Sequence, residues 1–358
     1  RTDARAQNIL CLTFTDAGVH AMRQRLLERI GPEAHRVPIF TFHAFCNRVI
    51  QENPEVFGKG NLEPLSDLER IEMVRQMLTR LPADHPLREG RKDTFQFEQH
   101  LRDLFASMKK EGWTPGFVLK KCDEYVRDLP QNPDFIYKVN TKKARKGDLK
   151  QAQIDEATEK MNRLKAAADL YPRYQQMLDK HSRYEYEDML LWVTKAFAKN
   201  EALLRTYQER YQYVLVDEFQ DTNGAQFHLL QQLLDYWEVP NIFIVGDDDQ
   251  SIFEFQGARL ENLVQFYQQY HKGLKTIVLE DNYRSAQPIL DTAANVIRHN
   301  NIRAISRLDQ PFEKMLRAGA ERFLGPDAPH TPARITVYEN RLHELADIVS
   351  KIEQLIAQ

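Results

Sequence analysis

Cysteine is scarce in this sequence. Cys11, Cys46 and Cys122 are the only three, an odd number without a CxxC spacing, which argues against both a disulfide framework and a structural zinc site. A reducing cytoplasm is the compartment expected from such usage. Long apolar runs are missing too. No stretch approaches the roughly 18 to 20 residues that a membrane span requires, so no membrane partner is expected. The opening Arg1-Thr2-Asp3-Ala4-Arg5 has no apolar core of signal-peptide type behind it. It runs almost directly into a strand-like segment, as a chain entered midway would. Nor does one sign of charge prevail. A formal net charge of -3 gives no bulk attraction to nucleic acid, so any hold on DNA must come from local features. There is no internal repeat and no low-complexity tract.

What remains is the composition of a folded protein, with 42% hydrophobic and 28% charged residues. A chain of 358 residues exceeds one ordinary domain, and two or three compact units are expected. The apolar run Ile9 to Phe14 predicts a buried strand, and a helical pattern follows from Asp16 to Ile30, stopped by Gly31-Pro32. A second strand near Ile39-Phe40-Thr41 leads into a helix beginning around His43. Strands alternating with helices, with apolar residues unbroken along each strand, indicate a parallel sheet covered on both faces. From about Leu62 to Lys180 strands give way to amphipathic helices, as in Leu68-Ile71-Val74-Leu78 and Leu101-Leu104-Phe105-Met108. Strands return at Tyr213–Val216, Ile242–Val245, Thr276–Leu279 and Ile335–Tyr338, and a last helix is predicted from Leu342 to Ile356.

Two segments carry chemistry. In Val214-Leu215-Val216-Asp217-Glu218-Phe219-Gln220-Asp221-Thr222 an apolar strand ends in adjacent carboxylates, which places them at the carboxyl edge of the sheet, where open α/β folds bind ligands. Mg²⁺, a hard cation, takes one or two carboxylates together with phosphate oxygens and water. A strand-end Asp such as Asp217 suits that metal, and Glu218 beside it can position or deprotonate an attacking water. The bland reading is a solvated turn. The second segment, Val245-Gly246-Asp247-Asp248-Asp249-Gln250-Ser251-Ile252, follows another buried strand and should reach the same edge. The Gln250 amide can contact a terminal phosphate without adding charge. Its three consecutive Asp lack the Gly and terminal Glu of an EF-hand loop. Phe253 and Phe255 beyond it are either platforms on which bases stack or core aromatics.

Together these runs resemble motifs II and III of UvrD/Rep-type superfamily 1 DNA helicases. Leu12-Thr13-Phe14-Thr15-Asp16 with Met22-Arg23-Arg25-Leu26 is similar to motif Ia, and Thr41-Phe42-His43-Ala44-Phe45 to the next DNA-contacting motif. Tyr184-Glu185-Tyr186-Glu187-Asp188-Met189-Leu190 resembles a recurrent segment ahead of motif II, and Leu279-Glu280-Asp281-Asn282-Tyr283-Arg284-Ser285 resembles motif IV. The order is that of the family, and the helical stretch sits where the family carries its accessory domain. The resemblance implies an α/β fold of RecA-like, P-loop NTPase type with an inserted all-helical accessory domain. Residues 1–61 and 181–282 would form the first motor domain, 62–180 the insertion, and 283–358 the start of a second RecA-like domain.

By the same resemblance Asp217 would bind Mg²⁺, Glu218 activate water, Gln250 sense the γ-phosphate of ATP, and Arg284 reach it across a cleft. Tyr283 would stack on the adenine. Phe14, Thr15, Thr41 and His43 would touch single-stranded DNA, with Phe255 as a stacking platform. His43 taken alone is a helix-start histidine, and Arg284 a surface arginine. The implied activity is an ATP-dependent helicase or translocase moving 3′ to 5′ on single-stranded DNA and unwinding duplex junctions, with ATP and Mg²⁺ as cofactors and repair or replication proteins as possible partners. Two positions depart from the family pattern. Asp16 stands where Asn is usual, and its carboxylate would repel a DNA phosphate. Gln256 stands where Arg is frequent, which removes a charged contact.

The larger departure is that no Gly-rich loop ending in Gly-Lys-Thr/Ser occurs; Gly58-Lys59-Gly60 lacks the flanking residues that cradle phosphate. The simplest explanation is a piece of a longer motor, inactive alone. Two rivals stand beside the helicase reading: the motor part of a RecB/AddA-type helicase-nuclease, and a DNA-binding module without catalysis. The basic run from Lys138 to Lys150, with Lys142, Lys143, Arg145 and Lys146, is either a grip on duplex DNA or a solvated loop.

Overall fold

The structure is a computed structural model and describes residues 4–58, 62–88, 93–140, 144–251, 259–300, 314–321 and 334–357. The chain forms two compact units, Arg1–His271 and Lys272–Gln358. In the first, strand β1 (Ile9–Thr13) leads to helix α1 (Asp16–Ile30), and β2 (Ile39–Thr41) leads to α2 (Phe42–Glu52) and the short α3 (Pro54–Phe57). The two-residue strand β3 (Glu63–Pro64) opens the helical insertion of α4 (Asp67–Thr79), α5 (Glu98–Glu111), α6 (Pro115–Asp128), α7 (Gln151–Ala168) and α8 (Tyr171–Lys180). Strand β4 (Arg183–Tyr184) closes it by pairing parallel with β3. Then come α9 (Tyr186–Lys199), α10 (Glu201–Arg210), β5 (Tyr213–Val216), α11 (Gly224–Leu234), β6 (Ile242–Ile244) and α12 (Leu260–Tyr270).

The main sheet has the order β2-β1-β5-β6 and is parallel throughout. Register sets Cys11 opposite Ile39 on one side and Leu215 on the other, and Val216 opposite Ile244. Parallel alignment brings the carboxyl ends of all four strands to one edge, so Phe14, His43, Asp217 and Asp247 are delivered there by chain direction alone. Leu10, Cys11, Leu12, Val214 and Val216 are buried in the sheet. Phe45, Phe197 and Tyr207 from α2, α9 and α10 pack together over it, with ring centroids 5.6 to 6.2 Å apart. At Gly31 the backbone takes φ of 64°, a conformation open to glycine and costly for other residues, which ends α1.

The insertion has a core of its own, built by Met73, Val74, Phe105, Cys122, Tyr174 and Leu178 among others. Of the apolar stripe expected on α4, Val74 and Leu78 are buried, whereas Leu68, in the first turn, is exposed. The strands β3 and β4 at its base are too short for any periodicity to reveal. All three cysteines are buried free thiols. No helix among the described residues is long and apolar enough to cross a membrane.

The second unit contains β7 (Asp281–Asn282), α13 (Gln287–Ile297), β8 (Arg317–Ala318), parallel to β7, and α14 (Arg341–Ile356). Helix α14 agrees with the helix expected from Leu342. The strands expected at 276–279 and 335–338 do not form. Those segments lie outside any ladder, with Leu279 73% and Ile335 94% exposed. An apolar β-prone run becomes a strand only where a neighbour satisfies its backbone groups, and none among the described residues pairs with either.

Candidate active site

The site begins where β5 ends. The Asp217 amide donates to the Leu12 carbonyl at 2.9 Å, which keeps the chain in register with β1 one residue beyond the strand. Glu218 then adopts φ 51° and ψ 45°. Among the described residues only Glu218 and Ser182 take positive φ without being glycine. That conformation costs about 1–3 kcal/mol and is kept only where the surroundings over-determine it. Two contacts do so. The Phe219 amide donates to the Val245 carbonyl at 3.0 Å, and the Gln220 amide Nε2 donates to the Glu218 carboxylate at 2.8 Å.

Gln220 is buried, and its other end accepts the Asp247 amide at 3.0 Å. One side chain therefore spans both acidic segments. A Cβ at position 246 would stand 2.9 Å from Gln220 Oε1, so Gly246 is demanded by this close approach. Beyond it, Asp247 accepts the Asp249 amide at 3.1 Å and the Gln250 side-chain amide at 2.8 Å. Asp247, Asp248 and Asp249 each bring a carboxylate oxygen within 4.8 Å of the others.

Burial lifts the Asp217 carboxyl above its ordinary range, and the neighbouring Glu218 charge adds to the rise, while Arg25 opposes it. Asp221 is raised by burial and then by Glu218, and its Oδ1 is buried without a hydrogen-bond partner. No basic side chain among the described residues forms an ion pair with Asp217. A half-buried carboxylate crowded by a second one is a site that favours an added cation.

On the remaining strand ends, Thr15 caps α1 by accepting the Gly18 amide at 3.0 Å, and Thr41 caps α2 by accepting the Ala44 amide at 3.2 Å. Each helix thus points its amino terminus, with its partial positive charge, out of the same sheet edge. Phe14 is half-buried between β1 and that cap. His43, in the first turn of α2, has its Nε2 buried without a partner. Burial lowers its pKa against the opposing pull of Glu187, with Lys110 also lowering it, so the ring is neutral near pH 7. Phe255, with Phe253 and Gln256, lies outside the described residues, as do Lys142 and Lys143 of the basic run.

Tyr283 and Arg284 belong to the second unit. The Asn282 side chain accepts the amides of Arg284 and Ser285 at 2.9 and 2.8 Å and so fixes the turn that follows β7. The Tyr283 ring lies over Gly319, where a Cβ would approach its Cε1 to 3.1 Å, and its other face is open: the residue is 67% exposed. Arg284 is exposed.

Two groups of residues went unassigned in the sequence. Gln220 stands inside a quoted segment, but nothing local shows that its amide bridges to a loop on another strand. Glu185 and Asp188 form a buried cluster with Lys109 of the insertion. Lys109 Nζ lies 2.5 Å from Glu185 and 2.7 Å from Asp188, while Arg70 reaches Glu185 at 2.6 Å and the Tyr174 hydroxyl donates to Glu185 at 3.0 Å. Burial alone would push Glu185 up, but Lys109 and Arg70 hold it below the ordinary carboxylate range; at Asp188 burial prevails over the pull of Lys109 and the pKa is raised.

Comparison with known proteins places the chain in a family. Residues 1–271 match the model of the UvrD/REP helicase N-terminal domain. The ATP-dependent DNA helicase PcrA of Staphylococcus epidermidis is 27% identical over 303 residues, covering 84% of this chain and 35% of the relative. The ATP-dependent DNA helicase PcrA of Staphylococcus aureus is 26% identical over the same shares of each chain. The chain therefore spans about a third of the length of these curated relatives.

Proposed function

The chain belongs to the UvrD/REP helicase family, and from that premise we propose that it is the front motor region of an ATP-driven DNA helicase that steps 3′ to 5′ along single-stranded DNA and opens duplex junctions, in repair or replication. In this reading residues 1–61 and 181–282 serve as the first RecA-like domain, 62–180 as an accessory insertion, and 283–358 as the opening of a second RecA-like domain. ATP and Mg²⁺ are the cofactors.

The observation that carries the proposal is the Gln220 bridge. It fixes Glu218 and Asp247, from two strand ends, in one hydrogen-bonded assembly at the carboxyl edge of a parallel sheet. Asp217 fits a divalent cation: it is partly buried, raised in pKa and without an ion-pair partner among the described residues. Mg²⁺ held there would supply neutralisation of charge developing on the phosphoryl oxygens. Glu218, exposed and aimed by Gln220, orients the attacking water and takes its proton. Gln250, one side-chain hydrogen bond from Asp247, exchanges that bond for one to the terminal phosphate. Tyr283 offers its open ring face to the adenine and Arg284 its guanidinium to the phosphates. Phe14, Thr15, Thr41 and His43 meet the DNA strand at the helix starts of α1 and α2, and Phe255 stacks on a base.

The test is ATP hydrolysis with and without single-stranded DNA by the full-length protein carrying this sequence, alongside Glu218→Gln. DNA-stimulated turnover in the parent, and its loss in the variant with ATP binding retained, is expected. Turnover within a few-fold of the parent in Glu218→Gln would remove the water-activating role.

A further inference from the structure

The last turn of α5, which belongs to the insertion, ends against the start of α11 rather than in solvent. Glu111 is its final residue, and its side chain is only 7% exposed. One carboxylate oxygen accepts Arg259 Nη1 at 2.8 Å, and the other faces the Gly224 amide at 3.4 Å. Gly224 is the first residue of α11, immediately after the turn that carries Glu218, Gln220 and Asp221. Arg259 follows the segment that begins with Gln250. Its own amide donates to the Thr222 carbonyl at 3.0 Å, and Asn262 donates to the same carbonyl at 2.8 Å.

Gly224 records how close this approach is. A Cβ there would stand 2.6 Å from Glu111 Oε2, 3.2 Å from the Glu111 carbonyl oxygen and 3.3 Å from its Cα. The backbone at Gly224 is helical, a conformation that does not itself call for glycine. Glycine is needed because the end of α5 sits on it. Two residues earlier Lys109 is fully buried between Glu185 and Asp188, so the same helical turn is anchored to α9 as well.

We propose that Glu111 is a positioning residue for ATP hydrolysis: it ties the helical insertion to the start of α11 and to Arg259, and thereby sets the placement of the turn bearing Glu218. The inference rests on the helicase reading and deepens it. Because Gly224 opens the helix that directly follows the turn, a shift at Gly224 is passed along the chain to the Glu218 carboxylate without any loss of the residues that bind nucleotide or DNA.

Two variants in the full-length protein test this from opposite sides of the contact. Glu111→Gln removes the charge and keeps the shape; Gly224→Ala keeps the charge and forces the surfaces apart. In both, kcat with saturating single-stranded DNA should fall about tenfold, while KM for ATP, the Kd for single-stranded DNA and the melting temperature hold within two-fold and a few degrees. An unchanged kcat in either variant overturns the proposal. A fall in which kcat, both affinities and the melting temperature decline together overturns it too, since that is a loss of folding. A parent protein that hydrolyses no ATP removes the helicase reading and this inference with it, whereas an active parent with unaffected variants removes this inference alone.

Discussion

Replacing Lys109 with methionine tests the buried joint between insertion and sheet. Lys109 is wholly buried, and the side chains of Glu185 and Asp188 are 5% and 4% exposed. Methionine fills nearly the same volume, so little is lost as a cavity. What changes is charge: two carboxylates stay buried with Arg70 as their only remaining cation among these partners. Removing one member of a buried ion pair costs about 3–5 kcal/mol. Because Arg70 still reaches Glu185, the lower end applies, about 3 kcal/mol, which corresponds to a melting temperature lowered by about 6–12 °C. Thermal unfolding followed by tryptophan fluorescence reports it well, since Trp113 packs against the insertion core and Trp192 lies on α9. The pH dependence separates charge from packing. In the parent Glu185 is held low, so the stability it confers is present above the ordinary carboxylate pKa and lost only as pH falls through its lower folded value. In the variant the pull of Lys109 is gone, Arg70 alone opposes burial at Glu185, and the carboxyl pKa values rise. Protonation as the pH falls then relieves the repulsion, and the deficit should narrow between pH 7 and pH 5. A deficit of less than about 1 kcal/mol at pH 7, or one that is the same at both pH values, refutes the reasoning.

Gly246→Ala would set a Cβ 2.9 Å from Gln220 Oε1 and displace the bridge to Glu218; steady-state ATPase assays should show kcat reduced by about 10- to 100-fold, and an unaltered kcat would mean that Gln220 does not aim the carboxylate. Glu52, paired with Arg48 within α2, joins α2 to α10 through Arg210 and the Tyr207 hydroxyl, and the three together outweigh its burial and lower its pKa to about 2. Its contribution to stability is therefore present above the ordinary carboxylate pKa and disappears as pH falls toward 2, so the melting curves of the parent and Glu52→Gln should differ at pH 7 and converge at the acid end; a difference that persists there contradicts the assignment.

The strand-helix alternation around β1, β2, β5 and β6 was legible because each strand is a continuous apolar run ending in polar residues, and direction alone then fixes which edge carries the site. The helical insertion was equally legible from its periodicity. Thr276–Leu279 and Ile335–Tyr338 read just as clearly as strands and are not, because a ladder depends on a partner that periodicity does not contain. In the acidic turn, Asp217 and Glu218 could be located from local sequence. The left-handed backbone of Glu218, the reach of Gln220 to Asp247 and the contact of Glu111 with Gly224 could not, since each depends on side chains from separate elements meeting in space. Lys109 is the sharpest case: a lysine in an amphipathic helix reads as solvated, and only the packed carboxylates of α9 make its burial tolerable.

The adjacency of β1 and β5 also constrains how the protein is made. Ile9 faces Tyr213 in the finished sheet, with the entire helical module lying between them along the chain. A ribosome therefore releases β1 and β2 long before their central neighbour exists, and closing that loop is an entropic cost met late. The module, with a local core of its own, can form while the sheet is still half built, and it gathers the two ends of the gap through the β3-β4 pair at its base. Until β5 arrives, one side of β1 remains an open apolar template, the kind of unpaired strand edge at which misassembly begins.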